Sequence, residues 1–96
     1  VNLRVFFPLF TFKYRDRATI IADILASLVE KPDGKRKTNI KQSANLSSDL
    51  LNKYIDLLLR NGYIMINNGD IYRLTQRGLK LWQNLDFEYL KMRMKV

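Results

Sequence analysis

Cysteine and histidine are both absent from the 96 residues. Without them the chain has no disulfide, no thiol nucleophile, no thiolate or imidazole metal ligand, and no general base of the usual kind near neutral pH. Enzymatic chemistry is therefore not expected, and neither a metal nor a cofactor is called for. The absence of cysteine suits a reducing intracellular compartment and a disulfide-free secreted protein equally. Proline and glycine are scarce, at 2 and 4 residues, so each can be read as local punctuation. Acidic residues are outnumbered, 9 Asp+Glu against 17 Lys+Arg, which leaves a formal charge of +8. That imbalance attracts nucleic acid or an anionic membrane surface. Long apolar runs are missing too. The most apolar stretch, "VNLRVFFPLFTF" at positions 1–12, is broken by Pro8 well short of the ~20 residues of a membrane span, and it lacks a basic n-region and a small-residue cleavage site. Neither a signal peptide nor a transmembrane helix is expected, and a cytoplasmic location fits.

What is present suits one compact domain, 47% hydrophobic and too short for two independent cores. Residues 1–14 read as an apolar arm, in which Phe10, Phe12 and Tyr14 alternate with Thr11 and Lys13 and so lay aromatics on one face of a short strand. From Arg15 to Lys31, Ala18, Ile21, Ile24, Leu25, Leu28 and Val29 recur at helical spacing, with Asp16 placed to cap and "PDG" at 32–34 to stop the helix. A basic loop, Lys35, Arg36 and Lys37, follows. Thr38 is then expected to cap a short second helix reaching about Ala44, with Ile40 and Ala44 inward and Lys41 and Gln42 outward. Asn45 and Leu46 make a turn, Ser47 caps a third helix, Asp49 sits favourably in its first turn, and Gly62 ends it. Two β-type runs, Tyr63–Ile66 and Ile71–Leu74, joined by "NNGD", predict a hairpin. Thr75 caps a last helix in which Trp82, Leu85, Tyr89, Met92 and Val96 fall in 3-4-3-4 steps.

Helix, basic loop, short helix, turn, helix, hairpin, helix is the order of a winged helix-turn-helix domain: α+β, mostly α. It predicts a domain at 15–75, with a C-terminal dimerisation helix at 76–96. On a wheel of ~100° per residue the third helix turns Leu51, Tyr54, Ile55 and Leu58 to the core, with Leu50, Leu57 and Leu59 widening that face. Asp49, Asn52, Lys53, Asp56 and Arg60 form a narrow polar stripe. Ser47 and Ser48 lie at its leading end, Asn52 is suited to adenine, and Lys53 to a phosphate or guanine. Asp49 with Lys53 and Asp56 with Arg60 are also i,i+4 pairs of the kind that steady a merely solvated face, and their carboxylates oppose phosphate. Most affinity is therefore expected from Lys35, Arg36, Lys37, Lys41 and Arg73, which position the domain, with Asn67 and Asn68 of the wing touching backbone or minor groove. The apolar ridge of the last helix, Trp82, Leu85, Tyr89, Met92 and Val96, is expected to meet a copy of itself. Double-stranded DNA and a second copy of the chain are thus the expected partners. An alternative is a module whose third helix docks on a protein of a transcription or viral assembly.

The stretch "TNIKQSANLSSDLLNKYIDLLLRNGYI", followed by "YRLTQRG", resembles the small archaeal winged-helix DNA-binding proteins of the Sulfolobus 10a family, roughly from Arg17 to Leu85. The telling parts are "ANLS" at Ala44 to Ser47, Tyr54–Ile55, and Leu74–Thr75 with Gly78. The resemblance implies a winged-helix fold, basic DNA binding and an antiparallel dimer through the C-terminal helix. Two departures touch that dimer: an apparently shorter last helix, and an apolar arm whose Phe6, Phe7, Phe10 and Phe12 are placed to supplement it.

Overall fold

The computed structural model describes the backbone of residues 16–95 and the side chains of residues 16–85. The aromatic arm therefore lies outside the described residues. Helix α1, Arg17–Val29, begins where expected, because the Asp16 carboxylate accepts the Thr19 backbone N–H at 2.8 Å. That bond, and secondly the Thr19 side chain, hold the Asp16 carboxyl below its ordinary range. Ile20, Ile24, Leu25 and Leu28 are spaced so that one face of the helix is buried. Ser27 is buried with them, and its hydroxyl is satisfied by donating to the Ile24 carbonyl at 2.9 Å.

The basic segment is not a loop. Lys35 and Arg36 form a two-residue strand, β1, pairing antiparallel with Tyr72 and Ile71. Gly34 makes this approach possible at φ +107°, since a Cβ there would lie 2.6 Å from Ile71 Cγ2 and 2.8 Å from the Tyr72 carbonyl oxygen. The pairing also corrects the expected cap. Arg36, held extended at ψ 158°, is the N-cap of α2, Lys37–Ala44, and makes no side-chain cap bond. Thr38 thus lies inside the first turn, as the second residue of the helix, because the helix begins as soon as the strand ends.

Asn45, left-handed at φ 55°, closes α2 with a paired arrangement: its N–H donates to Gln42 O at 3.3 Å, and the Leu46 N–H to Lys41 O at 3.1 Å. Leu46 is thereby driven into the core. Ser47 caps the next helix, α3 (Ser48–Arg60), accepting the Leu50 N–H at 3.2 Å. The same closing arrangement ends α3, with Gly62 at φ +76° and the Tyr63 N–H donating to Leu58 O at 3.0 Å. That bond occupies Tyr63, so β2 runs Ile64–Asn67, one residue later than the periodicity suggests.

Strand β3, Ile71–Leu74, is central in a three-stranded antiparallel sheet of order β1-β3-β2. The last helix, α4 (Gln76–Lys95), starts at a junction tied to the end of α3. Thr75 Oγ1 donates to Gly62 O at 2.7 Å and accepts the Gly78 N–H at 3.0 Å, while the Thr75 N–H reaches Tyr63 O at 3.2 Å.

One core gathers these elements: the four α1 residues, Ile40 and Ala44 of α2, Leu46, the four inward residues of α3, Ile64 and Tyr72. Fully burying each large apolar side chain contributes on the order of 1.5–3 kcal/mol. Leu81, Trp82 and Leu85 of α4 close the core from outside, against α1. Among the described residues no helix is long and apolar enough to cross a membrane, and no group of three or more acidic side chains gathers as a metal site would require.

Candidate nucleic-acid interface

Burial of Leu51, Tyr54, Ile55 and Leu58 fixes the roll of α3, leaving Ser48, Asp49, Asn52, Lys53, Asp56 and Arg60 exposed. Arg60 pairs with Asp56 at 2.9 Å. Lys53, instead of pairing with Asp49, lies over the Tyr54 ring with its ammonium 5.7 Å from the ring centre. Two carboxylates and two cations make the stripe neutral overall. The helix therefore presents hydrogen-bonding groups without a strong field of its own. Ser47 sits at the same end, also exposed, but its hydroxyl oxygen is engaged as the cap.

The field comes from the sheet, where strand alternation divides the basic residues. Arg36, Ile71 and Asn67 are opposite one another across the three strands, and Arg73 faces Met65 one step along on the same side. This outer face is exposed at Arg36, Met65 and Arg73. Arg36 Nε is 3.7 Å from Asp70 Oδ2 in an exposed pair, worth little in stability and open to exchange for a phosphate.

Lys35 points to the other face, beside Tyr72. Its side chain is only 11% exposed, with Nζ 3.3 Å from Glu30 Oε1 and 3.1 Å from Ser43 Oγ. Of the three consecutive cations expected to hold a ligand together, the structure therefore assigns Lys35 to bracing α1, β1 and α2. Odd and even strand residues cannot share a side, which is the physical reason. Lys37 opens α2 exposed, its ammonium 5.9 Å from the centre of the Tyr72 ring, whereas Lys41 is half-buried.

At the wing tip Asn68 (φ 53°) and Gly69 (φ +82°) are both left-handed, and the Asp70 N–H donates to Asn67 O at 3.3 Å. Asn68 is exposed and Asn67 half-buried. Turn geometry alone accounts for an Asn-Gly pair here.

Two residues on these surfaces were not legible as such. Leu50, assigned to the core by its place on the wheel, is 38% exposed, and Met65 is 43% exposed. Leu50 belongs to the first turn of α3 and lies at the edge of its buried face, about 100° round the helix from the buried Leu51. Met65 turns outward after the buried Ile64, and Ile66 beyond it is exposed as well, at 40%, so burial in β2 does not alternate in a way the sequence could show.

The apolar ridge of α4 divides as well. Trp82 and Leu85 are half-buried against the chain's own core. The side chains of Tyr89 and Met92, and Val96, lie outside the described residues. Near the start of α4, a concavity of about 460 Å³ is lined by Tyr63, Gln76, Arg77, Lys80, Leu81 and Asn84. Its guanidinium is already engaged: Arg77 Nε donates to Asn61 O at 2.9 Å and stacks 4.9 Å over the Tyr63 ring.

Two helices joined by a tight turn, a β-hairpin behind the second and a helix packed across the start define a winged helix-turn-helix protein. The sequence profile of the winged helix-turn-helix family matches residues 14–93, and the chain belongs to that family. An uncharacterized protein of Methanocaldococcus jannaschii is 37% identical over 71 residues, which span 74% of this chain and 70% of that protein. In three dimensions the chain is similar to Sso10a-2, described as a DNA-binding protein from Sulfolobus solfataricus, with a TM-score of 0.69, 26% identity and 84% of each chain covered. The resemblance read from Arg17 to Leu85 thus holds in the fold.

Proposed function

We propose that the chain binds double-stranded DNA, with α3 in the major groove and the outer face of the sheet on the flanking backbone. The observation that supports this most is a division of labour between two exposed faces: a neutral, donor- and acceptor-rich face of α3, its roll fixed by four buried residues, and a sheet face bearing Arg36 and Arg73. Such a surface separates selection from holding. A major groove about 12 Å wide admits a helix. Ser48, Asn52 and Lys53 are the candidates for base edges. Arg36, Lys37 and Arg73 are the candidates for phosphates, with Lys41, Ser47, Asn67 and Asn68 at the margin. The likeness to a protein described as DNA-binding points the same way.

In this reading the protein has no catalytic role, works as a regulator or as an architectural protein of the nucleoid, and pairs with a copy of itself along α4. Residues 15–75 form the binding unit, and 76–96 the pairing helix, whose first turns also close the core. Trp82 and Leu85 are half-buried and so keep surface for a partner helix. Sedimentation equilibrium tests the pairing: a dimer is expected, and a monomer at every concentration would remove it.

Anisotropy of a labelled 20-base-pair duplex, titrated at several salt concentrations, tests the main proposal. Binding should weaken by about 0.9 log unit per neutralised phosphate for each log unit of salt. One observation favours a second reading, docking on a basic protein surface: Asp49 and Asp56 both face solvent from the middle of the stripe. Salt-insensitive failure to bind any duplex would leave that reading standing and end the first.

A further inference from the structure

Leu50 is the feature of α3 that neither the core nor the polar stripe explains. It is 38% exposed, and its backbone is fixed, since its N–H donates to the cap oxygen of Ser47. Residues three apart on a helix are surface neighbours, which places Leu50 beside Lys53. The Lys53 ammonium is drawn towards the Tyr54 ring, that is, towards the Leu50 flank of the helix and away from Asp49. An apolar side chain and a hydrogen-bond donor therefore stand together at the leading end of the helix.

Among the four bases, thymine alone offers the matching pair in the major groove, a C5-methyl group next to the O4 acceptor. Cytosine has neither that methyl nor that acceptor, and the purines present no methyl. We infer that Leu50 and Lys53 form a thymine reader, Leu50 covering the methyl and Lys53 donating to O4. The inference rests on the proposal that α3 enters the major groove. It accounts for an exposed leucine that contributes less to folding than its buried neighbours, and it makes the target thymine-containing on the strand facing the first turn of α3.

The test separates this inference from the reading beneath it. Affinity is measured at one salt concentration for two alternating duplexes of equal length, dA·dT and dA·dU, which differ only in the methyl groups. Wild-type protein should bind the thymine duplex more tightly, by about three- to fourfold for each methyl it covers. Leu50→Ser should abolish the difference while retaining salt-sensitive binding, and Leu50→Met should keep it. Thermal unfolding of each variant within a few degrees of wild type confirms that folding is intact, as expected for a half-exposed position. Equal wild-type affinity for the two duplexes overturns the thymine reader and leaves DNA binding standing. A thymine preference that survives in Leu50→Ser overturns the role of Leu50. Absence of salt-sensitive binding to either duplex overturns DNA binding, and the inference with it.

Discussion

Gly78→Ala isolates the joint on which the placement of α4 depends. In an exposed helix interior this change stabilises by about 1 kcal/mol, because alanine is the better helix former. Here a Cβ would lie 1.9 Å from the Tyr63 carbonyl oxygen and 2.9 Å from Leu74 Cδ1, where real Cβ contacts essentially never fall under 3.0 Å. The helix must back away from the chain at Tyr63 by more than 1 Å. The displaced atoms are backbone, so no side-chain rotation relieves them. Retreat strains two bonds of the joint, Thr75 N–H to Tyr63 O and Gly78 N–H to Thr75 Oγ1, each worth about 0.5–1.5 kcal/mol. It also loosens Leu81 and Trp82 over the core, in a setting where overpacking alone costs about 1–3 kcal/mol. Set against the propensity gain, the net loss is about 1–5 kcal/mol, a drop in melting temperature of at least about 4 °C for a domain of this size. Differential scanning calorimetry reads it directly. Gly69→Ala is the control: that glycine has open space around it, and the substitution loses only the left-handed strain of about 1–2 kcal/mol. A Gly78→Ala protein as stable as wild type would refute the reasoning about the joint.

Other positions give equally definite outcomes. Lys35→Ala should leave the salt slope of duplex binding nearly unchanged, whereas Arg36→Ala with Lys37→Ala should lower it by about 0.9 for each phosphate contact removed; equal effects would contradict the division of the basic segment. Asn52→Ala should flatten the preference among sequences in a selection from a random duplex library, and an unchanged preference would remove Asn52 from the readout. Asp16 has a carboxyl pKa lowered by the Thr19 N–H bond, and secondly by the Thr19 side chain. A depressed folded pKa gives stability that is present above the unfolded value near 3.9 and is lost as pH falls through the lower folded value. Asp16→Asn should therefore make stability less sensitive to pH in that acid window, as acid unfolding followed by circular dichroism would show.

The long periodic elements were legible because burial and spacing carry the same information: α1, α3 and the hairpin each announce themselves in apolar steps and a cap. Strand β1 was not legible because two residues cannot show alternation, and both are basic. What makes Lys35 and Arg36 a strand is the free edge of β3, 35 residues downstream, together with a glycine small enough to let the chains meet. The Thr38 cap failed for the same reason, since the strand fixes where α2 can begin. At the candidate interface the polar stripe followed from the wheel, but the wheel treats the three flanking positions Leu50, Leu57 and Leu59 alike. Only the packed structure reveals that Leu50, at one edge of that face, stays exposed while Leu57 and Leu59 are half-buried. Gly78 shows the converse: its place in the sequence resemblance had no visible cause until the Tyr63 carbonyl was found against it.

The central claim, that the exposed stripe of α3 and the outer sheet face together grip a duplex, is tested most directly by amide chemical-shift mapping during titration with a short DNA duplex. The account predicts perturbations concentrated at Ser48, Asp49, Asn52 and Lys53 and at Arg36, Lys37 and Arg73, reversed by added salt. Perturbations centred instead on the face of α4, with α3 and the sheet silent, would contradict it.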